Sequence, residues 1–232
     1  MRVAVFSDVH GNAIGLDAVL TDIEAAGGVD AHWFVGDAAA LGFDPVGSVE
    51  RIAALPNLTA VRGNTDRLTI SDDPEANATF VKLAADDPEA AIRTFTIVRN
   101  FDWTRGAITS AGLFAWFAGL PLEARIELPD GTRVLLVHAA PGTDEGAGIT
   151  TGQSDEELGA LLKGIDADLI FVGHTHKPLD RTVDGVRVVN LGSVSNPGTE
   201  DQRAMWTLLV SDESGYQLER RFVDYDIPAV LE

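Results

Sequence analysis

Short apolar segments alternate with amphipathic ones in the first third of the chain, and this order is the strongest constraint on the fold. Three apolar segments are predicted to be buried strands: Val3–Phe6, Trp33–Val35 and Leu58–Val61. The segment after the first strand has the apolar spacing of a helix and ends at Gly27-Gly28, and a second helix begins at Pro45. Parallel strands require crossover connections of this kind, so we expect the three strands to form one parallel sheet.

The rest of the chain predicts a helical region followed by further strands. The segment at about residues 67–120 is mostly helical in pattern, and a hairpin is predicted around Pro129-Asp130-Gly131. Ser154 and Glu157 form a capping box for a later helix. Further strands are predicted at Leu169–Val172, Val186–Val189, Met205–Val210 and Tyr216–Phe222. No repeat or linker interrupts the pattern, so we predict a single domain over residues 1–232 with a mostly helical insertion at about 67–120.

Charge and cysteine content exclude several classes of function. The formal net charge is −19, which argues against nucleic-acid and anionic-membrane partners, because both require clustered Lys and Arg. No apolar run reaches the roughly 18–20 residues of a membrane span. The sequence MRVAVFSD begins a strand at once, without a signal peptide, and we therefore expect a cytoplasmic protein. With no cysteine, any metal must be bound by nitrogen and oxygen.

Polar side chains suited to metal binding follow the predicted strands repeatedly. Four of the five histidines lie just beyond a predicted buried strand. Scattered structural histidines would have no reason to follow this pattern. The carboxyl ends of parallel strands form the ligand-binding edge of an open α/β sheet. We therefore predict that seven side chains meet at this edge: Asp8, His10, Asp37, Asn64, His138, His174 and His176.

Imidazole and carboxylate groups suit Mn, Fe, Co, Ni or Zn, and a carboxylate can bridge two ions. Two divalent ions about 3.5–4 Å apart can clamp a phosphate and generate hydroxide near neutral pH. We expect two such ions, with Mn as the first choice and Fe, Zn, Co or Ni as alternatives.

His32, at the start of a strand and without a motif partner, is predicted to be structural.

The motifs D-x-H, G-D, G-N, an isolated His and G-H-x-H, in this order, resemble the calcineurin-like metallophosphoesterase superfamily. The resemblance covers roughly residues 5–200 and implies an α/β fold, a four-layer α-β-β-α sandwich with two mixed β-sheets. It implies that Asp37 bridges two ions, one bound by Asp8, His10 and His176 and the other by Asn64, His138 and His174. It further implies hydrolysis of phosphodiester, phosphomonoester or phosphoanhydride bonds by a hydroxide held between the ions.

Thr65 departs from the pattern of the family, in which many members have a histidine after the asparagine. Threonine is not a general acid at neutral pH, so we expect a preference for good leaving groups. Asp66 is the nearest titratable candidate for the acid, which makes Asp37, Asn64 and Asp66 the predicted catalytic residues. Asn12 either orients substrate or caps a helix, and Thr65 and Arg62 are candidates for substrate binding, although Arg62 is also suited to a surface salt bridge.

Two interpretations of the whole chain follow. In the first, it hydrolyses a small phosphorylated substrate, as a monomer or a homo-oligomer. In the second, it is a non-catalytic scaffold or interaction protein, as are some members that share this fold. All seven predicted positions hold a residue able to bind metal, which favours the enzyme.

Overall fold

A computed structural model describes residues 1–71 and 87–231, and these residues form ten strands and seven helices. The strands are β1 (Arg2–Phe6), β2 (Ala31–Val35), β3 (Leu58–Val61), β4 (Glu123–Glu127), β5 (Arg133–Val137), β6 (Leu169–Val172), β7 (Leu179–Val183), β8 (Val186–Asn190), β9 (Ala204–Asp212) and β10 (Gly215–Val223). The helices are α1 (Ala13–Ala25), α2 (Pro45–Ala53), α3 (Asn64–Ile70), α4 (Pro88–Ser110), α5 (Phe114–Ala118), α6 (Asp155–Leu162) and α7 (Ile227–Leu231).

The strands form two mixed five-stranded sheets. The first has the order β10-β9-β1-β2-β3, in which β1, β2 and β3 are parallel and β9 and β10 are antiparallel. The second has the order β4-β5-β6-β8-β7, in which β5, β6 and β8 are parallel and the outer strands antiparallel. Each sheet therefore has three parallel strands, whose carboxyl ends lie at one edge.

Apolar side chains fill three layers of core between four layers of secondary structure. Between the sheets, residues of β1–β3 such as Val5 and Trp33 pack against residues of β5 and β6 such as Leu136 and Phe171. The other face of the first sheet is covered mainly by α1 and α2, and the other face of the second by α6. The predicted four-layer α-β-β-α sandwich is confirmed.

Most predicted elements occur where the sequence indicated. The parallel β1-β2-β3 unit, the β4–β5 hairpin and the capping box of Ser154 and Glu157 are all present. The strand β7 was not predicted, because its sequence LDRTV has three consecutive polar residues and lies at the edge of the sheet. Within the predicted insertion at about 67–120, residues 72–86 lie outside the described residues, and the remainder is mostly helical.

The extent of the domain remains a prediction. No helix in the described ranges is both long and apolar enough to cross a membrane.

Candidate metal centre

The seven predicted side chains lie where the carboxyl ends of the two sets of parallel strands meet. Asp8 and His10 follow β1, Asp37 follows β2 and Asn64 follows β3, so the first sheet supplies the carboxylates and the amide. The second sheet supplies the remaining histidines, since His138 follows β5 and both His174 and His176 follow β6. Direct contacts join the two edges, for example from the His174 N–H to the Asp8 carboxylate at 3.2 Å.

The backbone is strained at this edge. Among the described residues, eight non-glycine residues have positive φ, and five of these are predicted ligands: Asp8, His10, Asp37, His174 and His176. The left-handed conformation is costly for residues with a Cβ, and such strain concentrates at functional sites. At φ values of 67° and 56°, His174 and His176 do not follow strand geometry, in which their side chains would point to opposite faces.

Three side chains form what we call the first half-site: Asp8, His10 and His176. Asp8 Oδ1 lies 3.8 Å from His10 Nε2 and 3.1 Å from His176 Nε2. Asp8 is fully buried, and a Cβ on Gly173 would come within 2.3 Å of its Oδ2, so only glycine permits this approach. The three ligand atoms lie within 4.8 Å of one another, close enough for one ion.

The second half-site comprises Asn64, His138 and His174. Asn64 Oδ1 lies 3.1 Å from His174 Nδ1, and the His138 and His174 rings are 5.3 Å apart between centroids. Asp37 lies between the half-sites, since its Oδ2 is 3.6 Å from His10 Nε2 and 3.3 Å from His138 Nε2. This central position is the one expected of a bridging carboxylate.

The imidazole tautomers test whether these residues suit a metal. His10, His138 and His176 each donate Nδ1–H to a backbone carbonyl, of Ala40, Val35 and Asn196 respectively, at 2.8–3.0 Å. Each neutral ring then presents an Nε2 lone pair to the centre, and metal-binding histidines are oriented by hydrogen bonds of this kind. His10 Nε2 lies 3.1 Å from His176 Nε2, and the buried His138 Nε2 has no hydrogen-bond partner within the described part of the chain. Converging lone pairs and carboxylates require a cation, so the residues fit a divalent metal.

The electrostatics also favour positive charge here. Burial lowers the pKa of His138, but the nearby Asp37 carboxylate outweighs burial, and with Asp8 it raises that pKa to about 10. Burial likewise lowers the pKa of His176, and its hydrogen bond to Asp8 raises it, with a net increase. A metal ion satisfies the same carboxylates and displaces these protons on binding.

Asp66, the predicted general acid, is bound by backbone N–H groups next to Asp37. Its carboxylate accepts three backbone hydrogen bonds at 2.8 Å, from the N–H groups of Asp37, Ala38 and Gly63. Burial, followed by the Asp37 carboxylate, raises the pKa of Asp66 to about 7, although the N–H groups of Gly63 and Ala38 act to lower it. Both oxygens are engaged and the side chain is buried, which favours a role in holding the backbone around Asp37, while the general-acid role stays a prediction.

The predicted substrate-binding residues have other partners. Asn12 is buried and accepts the Gly15 N–H at 2.9 Å, so it caps α1. Arg62 donates to Asp144 at 2.8 Å, which makes it a salt-bridge partner. The Thr65 N–H donates to Asp37 Oδ1 at 3.0 Å, and the buried hydroxyl of Thr65 has no partner among the described residues.

As predicted for a structural histidine, His32 is buried and its Nδ1 forms a hydrogen bond with the Pro56 carbonyl.

Four supporting residues were missed from the sequence: Asp144, Arg67, Asn190 and Asn196. Asn196 contributes only its carbonyl, and Asn190 donates to the Gly173 carbonyl at 2.6 Å. Asn190 begins the stretch Asn190-Leu191-Gly192-Ser193-Val194, which resembles a subgroup of the family, but no position in it was assigned a role. A cavity of about 720 Å³ between α6 and the β7–β8 turn is lined by none of the predicted site residues.

Comparison with known proteins gives a consistent result. Residues 1–213 match the family model described as calcineurin-like phosphoesterase superfamily domain. An uncharacterised protein of Methanocaldococcus jannaschii is 28% identical over an alignment that covers 99% of this chain and 90% of the relative. The crystal structure of a metallophosphoesterase from Sphaerobacter thermophilus superposes with a TM-score of 0.74 at 26% identity, covering 99% of this chain and 91% of that one. A hypothetical protein from Pyrococcus horikoshii shares the fold with a TM-score of 0.81 at 21% identity, covering 99% and 90%.

Proposed function

The chain belongs to the calcineurin-like phosphoesterase superfamily, and from this premise we propose that it is a phosphoesterase that uses two divalent metal ions. The observation that carries the proposal is the convergence of Nε2 lone pairs and carboxylates at the joint edge of the two sheets. The same arrangement supports the assignment of Asp8, His10 and His176 to one ion, Asn64, His138 and His174 to the other, and Asp37 to both.

When bound, two such ions supply positive charge to a phosphate and lower the pKa of a water near it. The protein's own contribution is to fix the geometry. The Thr65 N–H holds Asp37 Oδ1 at 3.0 Å, which leaves Oδ2 directed at the histidines of both half-sites. Backbone carbonyls hold three of the imidazoles in the tautomer that directs Nε2 inward.

The proposed leaving-group preference follows from the two residues after Asn64, Thr65 and Asp66. Thr65 offers a hydroxyl, and the Asp66 carboxylate is occupied by backbone N–H groups, so we expect neither residue to supply a proton to the departing oxygen. General acid catalysis typically contributes about 10²–10⁴-fold. We therefore expect aryl esters, phosphoanhydrides and activated diesters to react faster than alkyl esters by roughly this factor.

A substrate panel with several divalent metals tests the activity. Matched aryl and alkyl phosphomonoesters and phosphodiesters would be assayed with Mn²⁺, Fe²⁺, Co²⁺, Ni²⁺ and Zn²⁺, and we expect Mn²⁺ to support the highest rate. Equal turnover of aryl and alkyl esters would contradict the leaving-group preference. The proposal includes a small phosphorylated substrate and a cytoplasmic location, and leaves a homo-oligomer open.

The alternative is a non-catalytic scaffold of the same fold, and the lack of an acid at Thr65 is the observation that favours it. Metal content and hydrolysis of a substrate distinguish the two functions directly. An enzyme binds two ions per chain and hydrolyses an aryl phosphodiester, whereas a scaffold shows no hydrolysis with any of the metals.

A further inference from the structure

A buried carboxylate outside the metal centre connects two arginines of the chain. Asp144 is 5% exposed and lies in the segment that follows His138. It accepts a hydrogen bond from Arg62 Nε at 2.8 Å and from Arg67 Nε at 3.0 Å. Charged hydrogen bonds around a buried carboxylate are short and strongly directional, so this contact fixes the relative positions of the three residues.

The two arginines lie on either side of the turn that carries Asn64. Arg62 comes directly after β3, and Arg67 lies in α3. Asp144 therefore accepts hydrogen bonds from both sides of the turn, from Arg62 before Asn64 and from Arg67 after it. Movement of Asp144 would change the position of Asn64 relative to the second sheet.

The segment that carries Asp144 also holds His174. The Gly146 carbonyl, two residues after Asp144, accepts a hydrogen bond from His174 Nε2–H at 2.9 Å. This bond selects the tautomer in which Nδ1 carries the lone pair, and Nδ1 is the atom that lies 3.1 Å from Asn64 Oδ1. The orientation of His174 is therefore set by a carbonyl in the same loop as Asp144.

All three members of the second half-site are thus linked through one segment. The segment runs from His138 to Gly146. Its Asp144 bonds the arginines on either side of Asn64, and its Gly146 carbonyl bonds the ring of His174. The first half-site is supported by other segments: Ser193 and Ser195 donate to the Asp8 carbonyl, and the carbonyls of Asn196 and Ala40 accept from His176 and His10.

We propose that Asp144 is a positioning residue for the second half-site, and that its salt bridges to Arg62 and Arg67 set the affinity of that half-site for its ion. This inference rests on the proposed binuclear function. It also gives Arg62 a role different from the substrate contact suggested by the sequence.

The experiment is a titration of the metal-free full chain with Mn²⁺, followed by calorimetry and by electron paramagnetic resonance, which distinguishes a coupled Mn²⁺ pair from single ions. The Asp144→Asn variant keeps the size of the side chain and removes its charge. We expect the second ion to bind about 10–100-fold more weakly, the usual cost of losing a partner that orients a ligand, while the first ion binds as in the wild type. The signal of the coupled pair should disappear at Mn²⁺ concentrations that fill the wild type.

Asp22→Asn is the matched control. Asp22 also accepts hydrogen bonds from an arginine, Arg221, but on α1 and β10, away from the metal centre. We expect a loss of thermal stability in this variant and wild-type affinity for both ions. A loss of the second ion in both variants would overturn the proposal, because general destabilisation would then explain it.

Arg62→Gln provides a second, milder variant, in which the bond from Arg67 to Asp144 is retained. A positioning role predicts weaker binding of the second ion, whereas a substrate-binding role predicts a raised KM with unchanged Mn²⁺ binding. Two ions bound with wild-type affinity in both Asp144→Asn and Arg62→Gln would overturn the inference. A wild type that binds no Mn²⁺ pair would instead overturn the proposed binuclear function.

Discussion

The two half-sites differ in what holds them together. The first half-site contains a carboxylate of its own, the fully buried Asp8, and its two histidines bond backbone carbonyls. The second half-site has the neutral amide of Asn64 in place of a carboxylate, and its His174 depends on the Gly146 carbonyl in a loop. Only His138 in the second half-site is held by a strand residue, Val35.

This difference predicts an order of affinity. Asp8 Oδ1 lies 3.1 Å from His176 Nε2 but 4.0 Å from His138 Nε2, so the charge of Asp8 is nearer to the first half-site than to the second, whereas Asp37 lies close to both. Coulomb attraction at a few ångströms is strong in a buried site. We therefore expect the first half-site to fill at lower metal concentration, and the second to determine when the centre is complete.

The largest effect is expected for Asp37→Asn, because Asp37 lies between the two half-sites and is proposed to serve both. Loss of its charge removes attraction for both ions, and transition-state stabilisation by a metal pair amounts to several kcal/mol, so the rate should fall by about 10³-fold or more. Metal content and turnover of an aryl phosphodiester measure the result. Asp168→Asn, at an exposed pair with Arg133, is the control and should retain full activity. Full turnover in Asp37→Asn would refute the assignment of the centre.

His174→Ala and His176→Ala compare the half-sites directly. His174→Ala removes a ligand of the weaker half-site, so we expect one ion to remain bound with wild-type affinity. His176→Ala removes a ligand of the tighter half-site, so we expect the affinity of the first ion bound to decrease. Both variants should lose metal-dependent activity. Calorimetric titration with Mn²⁺ measures the order, and an unchanged first binding step in His176→Ala would reverse the proposed ranking.

Much of the centre was predictable because its residues follow regular elements. Parallel strands bring their carboxyl ends to one edge, so a residue such as Asp37 directly after β2 has little freedom in its position. Motif spacing was therefore enough to predict that seven side chains converge. The same regularity explains why the four-layer fold could be predicted from alternating apolar segments.

The parts that could not be predicted depend on contacts between distant loops. Asp144 and Arg62 are 82 residues apart in sequence, and no local pattern indicates that they pair. The contacts of Asp66 could not be predicted for a similar reason, since the backbone N–H groups that donate to its carboxylate come together only when the turns after β2 and β3 are packed. Asp66 was predicted as a general acid for being titratable and close to Asn64, and these contacts favour a second role, in which it holds the backbone around Asp37.

Asp66→Asn tests that role through stability. An amide in place of the carboxylate presents an NH₂ group to a backbone N–H, which leaves a buried donor unsatisfied at a cost of about 1–3 kcal/mol. We expect a lower melting temperature, measured by thermal denaturation, together with weaker binding of both ions, since Asp37 is proposed to serve both half-sites. If Asp66 were instead a general acid, stability and metal binding would be unchanged and only the rate for poor leaving groups would fall.

The smallest effect is expected for Gly148→Ala, which tests whether the second half-site alone depends on its loop. A Cβ at Gly148 would lie 2.8 Å from His174 Cδ2, so the ring must shift from its position beside Asn64. Gly131→Ala is the control, because Gly131 also has positive φ but has no atom within 4 Å of the added Cβ. Each change adds strain of about 1–2 kcal/mol, so the melting temperatures should fall by similar amounts. Weaker binding of the second ion should appear only in Gly148→Ala, and equal weakening of both ions would mean that the half-sites are not independently supported.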